Sequence, residues 1–150
     1  MLAVEDHVIY IKHSITTLIF REGAVSKVLV IDDDERICQT IEKYLEMKGY
    51  KTCSAYDGRD GLKQVKRMKP DLVLLDVIMP EMNGLEVLRH LKESPKTSEI
   101  PVVMLTGRSD EECMSEALYG YAVEYIVKPV SMETLESKIA RIISFSSKLR

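Results

Sequence analysis

Residues 71–84 read Asp-Leu-Val-Leu-Leu-Asp-Val-Ile-Met-Pro-Glu-Met-Asn-Gly and contain the most informative pattern in the chain. Four apolar residues in a row, 72–75, are typical of a strand buried on both faces, as in a parallel sheet covered by helices. The run stops at Asp76, and Pro80 and Gly84 then mark a loop. Because ligands bind just outside the carboxyl ends of strands in open α/β sheets, Asp76 is where chemistry is expected. If Asp76 stood alone, a structural role as a cap of the following turn would explain it about as well as a chemical role.

The size and composition of the chain limit the classes of protein it can belong to. It has 150 residues, of which 45% are hydrophobic, and this predicts one globular domain. The 21 basic and 24 acidic residues are mixed along the chain, so no basic patch indicates nucleic-acid binding. Cys38, Cys53 and Cys113 lie far apart, which favours reduced thiols over a disulfide or a metal site. No apolar run reaches the roughly 18 to 20 residues that span a membrane, and no signal peptide is recognisable, so we expect a cytoplasmic protein.

From residue 27 onward, apolar runs alternate with helical patterns. Strands are predicted at residues 28–31, 50–55, 72–75, 100–105 and 123–127, and a helix follows each, the last two at 111–119 and 132–143. Asp34 is expected to cap the first helix, and Gly49 to end it. The alternation predicts an α/β fold, a doubly wound five-stranded parallel sheet flanked by five helices. The run at 50–55 is more polar than the others, which places it nearer the edge of the sheet.

Both ends of the chain lie outside this pattern. Residues 8–11 and 15–20 are rich in β-branched and aromatic residues, which favours strand over helix, and residues 22–26 look like a linker. We therefore divide the chain into an N-terminal extension at 1–26, a domain at 27–145 and a C-terminal tail at 146–150.

Polar side chains follow four of the five predicted strands. They are Asp32, Asp33, Asp76, Thr106 and Lys128. Three carboxylates at one edge repel one another, and a hard divalent cation such as Mg²⁺ together with an ammonium group would neutralise them. A hydroxyl and an ammonium beside such a cation suit a phosphoryl group. The set therefore predicts phosphoryl transfer with an aspartate as nucleophile.

Four stretches carry a resemblance to a known family. They are Val-Ile-Asp-Asp-Asp at 30–34, Leu-Asp-Val-Ile-Met-Pro-Glu-Met-Asn-Gly at 75–84, Met-Leu-Thr-Gly at 104–107 and Tyr-Ile-Val-Lys-Pro at 125–129. In these stretches the sequence resembles the receiver domain of two-component response regulators, of the chemotaxis-regulator-like type, over about residues 27–145. The resemblance implies a flavodoxin-like fold that takes a phosphoryl group from a histidine kinase in signal transduction.

The resemblance also implies a role for each site residue. Asp76 looks like the phosphoacceptor, and Lys128, joined to Pro129 by a cis bond, would pair with the phosphoryl oxygens. Thr106 and Tyr125 look like switch residues, with Thr106 turning toward the phosphoryl group and Tyr125 following from an exposed to a buried position. The Mg²⁺ ligands that it implies are Asp32, Asp33, Asp76 and the backbone carbonyl of Ile78.

The partners implied are a sensor histidine kinase or phosphotransfer protein, and a downstream protein or second copy of the chain. The second partner would bind the face formed by residues 111–119, 123–127 and 132–143, without direct contact to nucleic acid or membrane. No enzymatic activity is expected beyond self-phosphorylation from small donors and self-dephosphorylation.

Other readings of the site are less well supported. An Asp-nucleophile phosphohydrolase is the alternative, but it needs a second acid or base, and only Val77 and Ile78 directly follow Asp76. A dinucleotide-binding turn is disfavoured because Asp-Asp-Asp at 32–34 would repel pyrophosphate. Whether an output domain belongs to the protein stays open, as do the cognate kinase, the target and the oligomeric state.

Overall fold

The computed structural model describes residues 25–107 and 124–149, together with the backbone of three short strands near the amino terminus. These are β1 (Val4–Glu5), β2 (Val8–Ile9) and β3 (Phe20–Arg21), which form an antiparallel sheet in that order. Strands β2 and β3 overlap the runs at 8–11 and 15–20 for which the sequence predicts strands. The division of the chain at residues 26 and 145 stays a prediction.

Five parallel strands form the central sheet in the order β5-β4-β6-β7-β8. They are β4 (Lys27–Ile31), β5 (Lys51–Ala55), β6 (Leu72–Asp76), β7 (Val102–Thr106) and β8 (Glu124–Val127). This confirms the predicted fold class, and β5 lies at the edge as its polar sequence indicates. After β4, the chain forms β5 on one side of β4 and then crosses over to form β6 on the other side, so the strand order reverses at β4. The carboxyl ends of β4 and β6 therefore flank the point where ligands bind in such sheets.

Four helices cover the sheet in the described part of the chain. They are α1 (Glu35–Met47), α2 (Gly58–Met68), α3 (Gly84–Glu93) and α4 (Met132–Lys148), and the helix predicted at 111–119 lies outside the described residues. Helix α4 continues past its predicted end at residue 143 and takes in most of the predicted tail. Its buried stripe stops at Ile142, so the apolar spacing gave no signal for the last turns. None of these four helices is long and apolar enough to cross a membrane.

Helices pack on both faces of the sheet, so β4, β6 and β7 are buried on both sides. Leu29, Ile31 and Leu75 point into the core beneath α2 and α3. Val28 and Val30 point to the other face, into the core beneath α1 and α4. Two apolar cores thus hold the central strands in place, and the polar residues that follow those strands are carried to a fixed edge.

The ends of α1 and the start of α3 are fixed by capping interactions. Asp34 caps α1 and accepts a hydrogen bond from the backbone N–H of Arg36, which confirms its predicted role. Helix α1 ends at Met47, and Gly49 follows with a φ of 91°, a left-handed conformation that glycine adopts without strain. Asn83 and Glu86 form a reciprocal capping box at the start of α3.

The two described cysteines are free thiols, as expected. Burial raises the pKa of Cys38 to about 11, so this thiol stays protonated and acts as a packing residue. Cys113 lies outside the described residues.

Candidate functional site

The predicted site residues lie at the carboxyl edge of the sheet, and backbone hydrogen bonds hold the edge in register. The N–H of Asp32, just after β4, donates to the carbonyl of Ala55 at 3.1 Å. The N–H of Val77, just after β6, donates to the carbonyl of Leu105 at 3.1 Å. The N–H of Lys128 donates to the carbonyl of Thr106 at 2.7 Å. Each functional side chain is therefore placed by a neighbouring strand as well as by its own.

Lys128 joins two of the three carboxylates. Its Nζ lies 3.0 Å from Oδ2 of Asp32 and 3.1 Å from Oδ1 of Asp76. The Asp32 side chain is 1% exposed and that of Asp76 is 13% exposed, so both contacts lie in a medium where charge-assisted hydrogen bonds are strong. The bond between Lys128 and Pro129 is cis, as the resemblance implies.

The protonation states follow from burial and neighbouring charge. Burial and then the negative charge of Asp32 raise the pKa of Asp76 to about 6, and Lys128 limits the rise. Burial alone would lower the pKa of Lys128, but the hydrogen bond to Asp32 and the charges of both aspartates raise it. At neutral pH, Asp76 is therefore mostly a carboxylate and Lys128 is an ammonium.

Three carboxylates make a set of ligands that fits a hard cation. One oxygen from each of Asp32, Asp33 and Asp76 lies within 4.8 Å of the others. Asp32 is oriented by the N–H of Asp34, which donates to its Oδ1 at 2.9 Å, while its other oxygen accepts from Lys128. A single ammonium leaves the three carboxylates with excess negative charge, so the donor set is suited to Mg²⁺.

Thr106 presents an unusual buried hydroxyl. Its side chain is fully buried at the end of β7, and within the described part of the chain its Oγ1 has no hydrogen-bond partner. An unpartnered buried hydroxyl is costly unless something else accepts from it. Tyr125 lies on β8 opposite Met104, two residues before Thr106 on β7, and packs half-buried against the core beneath α2 and α3.

The loop after Asp76 holds a contact that sequence reasoning missed. The N–H of Gly84, the first residue of α3, donates to the carbonyl of Val77 at 2.8 Å. A Cβ at Gly84 would lie 2.0 Å from the carbonyl oxygen of Asp76. The Asn-Gly pair marks a helix start in the sequence, but nothing there shows that the helix touches the candidate acceptor. Between these residues, Ile78 has a side chain that is 62% exposed at the rim of the site.

Comparison with known proteins agrees with this arrangement. The family model of the response regulator receiver domain matches residues 28–140. The transcriptional regulatory protein AfsQ1 of Streptomyces coelicolor is 35% identical over 115 residues, which cover 77% of this chain and 50% of that protein. The phosphate regulon transcriptional regulatory protein PhoB of Escherichia coli is 35% identical over 117 residues, covering 78% of this chain and 51% of PhoB. A crystal structure of a response regulator receiver domain protein from Clostridium thermocellum superposes with a TM-score of 0.78 at 32% identity, covering 84% of this chain and all of that one.

The fold and the acidic edge define a signalling domain of the two-component class. The chain belongs to the response regulator receiver domain family. The comparisons give no support to a phosphohydrolase. The chain spans about half the length of the curated relatives it matches, and those relatives are named transcriptional regulators. The names of these relatives conflict with the expectation of no nucleic-acid contact, as far as a full-length protein is concerned. The match itself covers only the receiver domain.

Proposed function

We propose that Asp76 accepts a phosphoryl group from a phosphohistidine of a sensor kinase or phosphotransfer protein. One observation carries this proposal: the Lys128 ammonium lies within 3.1 Å of both Asp32 and Asp76 at the carboxyl edge of the sheet. A buried carboxylate held beside a cation, and next to two further carboxylates, is suited to attack on phosphorus.

The bond-making step uses the Asp76 carboxylate and the phosphodonor. An oxygen of the Asp76 carboxylate attacks the phosphorus and forms an acyl phosphate. The bond from phosphorus to the donor breaks, and its electron pair leaves with the imidazole nitrogen of phosphohistidine or the acetate oxygen of acetyl phosphate. With a pKa of about 6, Asp76 is already ionised at neutral pH, so no general base is needed. Lys128 keeps its proton and neutralises the phosphoryl oxygens.

We assign the metal site to the carboxylates of Asp32, Asp33 and Asp76 and to the backbone carbonyl of Ile78. The clustered carboxylate oxygens support this assignment. When bound, Mg²⁺ supplies positive charge for the transferred group and a preference for oxygen ligands. Asp32 is held from two sides, by Lys128 and the N–H of Asp34, and so presents its carboxylate without a large rearrangement.

The proposed switch starts at Thr106. The phosphoryl group carries about −1.5 to −2 charges at neutral pH and offers strong acceptors. The Thr106 hydroxyl, which lacks a partner among the described residues, would donate to it. Movement of Thr106 would free space that Tyr125 could fill, and this would shift the population toward a conformer that already exists. The partner or second copy would read the change on β8, α4 and residues 111–119, of which the last lie outside the described residues.

The surface beside Lys128 suits the helix of a phosphodonor protein. A cavity of about 480 Å³ lies between α1 and α4, with Ile37, Val130 and Met132 in its mostly apolar lining. A donor helix with an apolar face could dock there and bring its phosphohistidine toward Asp76. Ile37→Ser should therefore slow transfer from a phosphorylated kinase at least about tenfold, since one buried apolar side chain contributes about 1.5–3 kcal/mol, and leave labelling by acetyl phosphate unchanged. Equal slowing with both donors would contradict this docking mode.

The acceptor assignment is tested by mass spectrometry. Incubation with acetyl phosphate and Mg²⁺ should add one phosphate to the wild-type chain and none to Asp76→Asn. Asp57→Asn is the matched control, because Asp57 caps α2 through Asp60, and asparagine caps equally well. Labelling of Asp76→Asn at the wild-type level would refute the assignment.

The switch is tested by amide NMR with and without beryllofluoride. In the wild type and in Thr106→Ser, which keeps the hydroxyl, we expect shifts to extend from the site to β8 and α4. In Thr106→Ala they should stay near Asp76. Equal spread in all three proteins would contradict the proposed relay.

A further inference from the structure

A second cavity lies at the opposite edge of the sheet from the acidic site. It has a volume of about 1080 Å³ and is enclosed by the end of α2, the segment leading to β6 and the loop between α3 and β7. We call it the basal cavity. Its walls precede strands β6 and β7, whereas the acidic site follows them, so a strand of five residues, about 16 Å, separates the two.

The floor of the basal cavity is apolar and its rim is basic. Val65, Pro70 and Ile100 are buried and form the floor, beside Thr97, whose hydroxyl is bonded within the chain. Exposed Lys66, Lys69 and Lys96 line the rim, with Glu99 as the one acidic lining residue among those described. A chain with a net charge of −3 thus concentrates positive charge around an apolar depression.

The rim lysines form no ion pair with any residue that the structure describes. Within the described part of the chain, no carboxylate lies within 4.0 Å of the ammonium groups of Lys66, Lys69 or Lys96. Burial lowers the pKa of Lys92, and the negative charge of Glu99 partly offsets the decrease. The positive charge at the rim is therefore available to a ligand.

The walls of the cavity are fixed rather than loose. Lys92 Nζ donates to the carbonyls of Ser98 at 2.9 Å and Ile100 at 2.7 Å, and Thr97 Oγ1 donates to the carbonyl of Leu91 at 2.7 Å. Lys69 ends α2 with a φ of 50°, a left-handed conformation that usually favours glycine. A left-handed residue is a common way for a helix to end, and here it fixes the direction in which the chain leaves the rim.

We propose that the basal cavity binds an acidic peptide segment of a partner protein, in which carboxylates are interspersed with apolar side chains. The apolar floor accepts the apolar side chains, and the three rim ammonium groups pair with the carboxylates. A single inorganic anion would leave most of the volume unfilled, since pockets of about 300–1000 Å³ hold drug-sized ligands. A DNA duplex presents phosphates on a convex rod, which would leave the apolar floor uncovered. Because the two sites lie at opposite edges, a partner could remain bound here while Asp76 changes state.

The probe is a synthetic acetylated and amidated pentapeptide, Leu-Glu-Asp-Leu-Glu, titrated into the full ¹⁵N-labelled chain. We expect amide shifts at Thr97 and Ile100, with none at Asp76. The triple variant Lys66→Gln, Lys69→Gln, Lys96→Gln should bind at least about tenfold more weakly, since an exposed ion pair changes affinity by up to about fivefold. The control triple variant Lys43→Gln, Lys51→Gln, Lys148→Gln removes the same charge from exposed lysines elsewhere and should bind like the wild type.

Two further probes separate this proposal from simple charge attraction. The amide analogue Leu-Gln-Asn-Leu-Gln and the leucine-free peptide Ser-Glu-Asp-Ser-Glu should each bind at least about fivefold more weakly than the first probe. The proposal is overturned if the first probe gives no shifts at millimolar concentration, or if both triple variants lose affinity equally. It is also overturned if the leucine-free peptide binds as tightly, or if a DNA duplex binds the same residues more tightly.

Discussion

Replacing Gly84 by alanine tests whether the start of α3 sets the position of the candidate acceptor. The added methyl group would lie 2.0 Å from the carbonyl oxygen of Asp76, 2.9 Å from its carbonyl carbon and 3.0 Å from Cα of Val77. All three atoms are backbone, so no side-chain rotation relieves the clash. Either the first turn of α3 or the peptide after Asp76 must move by more than about 1 Å to reach an ordinary contact distance.

The expected effect has a stability part and a functional part. Overpacking costs about 1–3 kcal/mol, and alanine regains up to about 1 kcal/mol of helix propensity, so we expect a net loss of about 1–2 kcal/mol in the free energy of unfolding. Moving the Asp76 backbone by about 1 Å would also disturb the 3.1 Å contact with Lys128. Since a misplacement of about 1 Å can slow a reaction on the order of 100-fold, labelling of the folded variant by acetyl phosphate should fall at least about tenfold.

Gly61→Ala is the matched control. Its Cβ would lie 2.6 Å from Cδ1 and 3.1 Å from Cγ2 of Ile31, so the clash falls on a fully buried core side chain and not on the Asp76 backbone. We therefore expect a similar loss of about 1–2 kcal/mol in urea unfolding, but an unchanged labelling rate in the folded variant. Wild-type labelling in Gly84→Ala, or an equal loss of labelling in Gly61→Ala, would refute the reasoning.

Three further predictions concern the site and the extension. Because the folded-state pKa of Asp76, about 6, exceeds its unfolded value of about 4, the metal-free fold loses up to about 3 kcal/mol as pH rises through that window. Asp76→Asn should therefore be more stable than wild type above pH 6.5, with no difference below pH 4; a constant difference in urea midpoint would contradict this. The Ile78 side chain has no polar group to orient a water, so self-dephosphorylation should be slow and Ile78→Asn should speed it. An unchanged decay of the phosphorylated chain in mass spectrometry would contradict this account. Deleting residues 1–24 should reduce self-association in light scattering, and an unchanged mass and stability would leave the segment without this role.

The sequence predicts the fold and the clustering of the site residues at one edge, because both depend only on strand order and on the polarity pattern. Apolar runs that end in Asp32, Asp76 and Lys128 predict buried parallel strands, and parallel strands bring their carboxyl ends to one edge. The sequence could not show that Lys128 would contact both aspartates, since that depends on the twist and spacing of three strands. The predicted end of α4 at residue 143 was also wrong, because the last turns of the helix carry no buried stripe.

The contacts that sequence reasoning missed are of another kind. Gly84 approaches Asp76 through its lack of a side chain, and Lys69 adopts a backbone conformation that its residue type does not favour. Neither leaves a trace in polarity or periodicity. The basal cavity was missed for a related reason, because its rim lysines come from α2 and the α3–β7 loop, and the basic residues look evenly mixed along the chain.

The charges of the acidic edge imply that cation binding and phosphorylation depend on each other. Three aspartate side chains against one ammonium give the site about two excess negative charges, and the acyl phosphate would add about one more. A divalent cation offsets most of this charge, and it offsets more in the phosphorylated state, where additional oxygens face it. By linkage, a cation that favours phosphorylation must itself be bound more tightly after it, by the same factor. The phosphorylated chain should therefore hold Mg²⁺ more tightly than Asp76→Asn, which lacks both the acceptor oxygen and the phosphate.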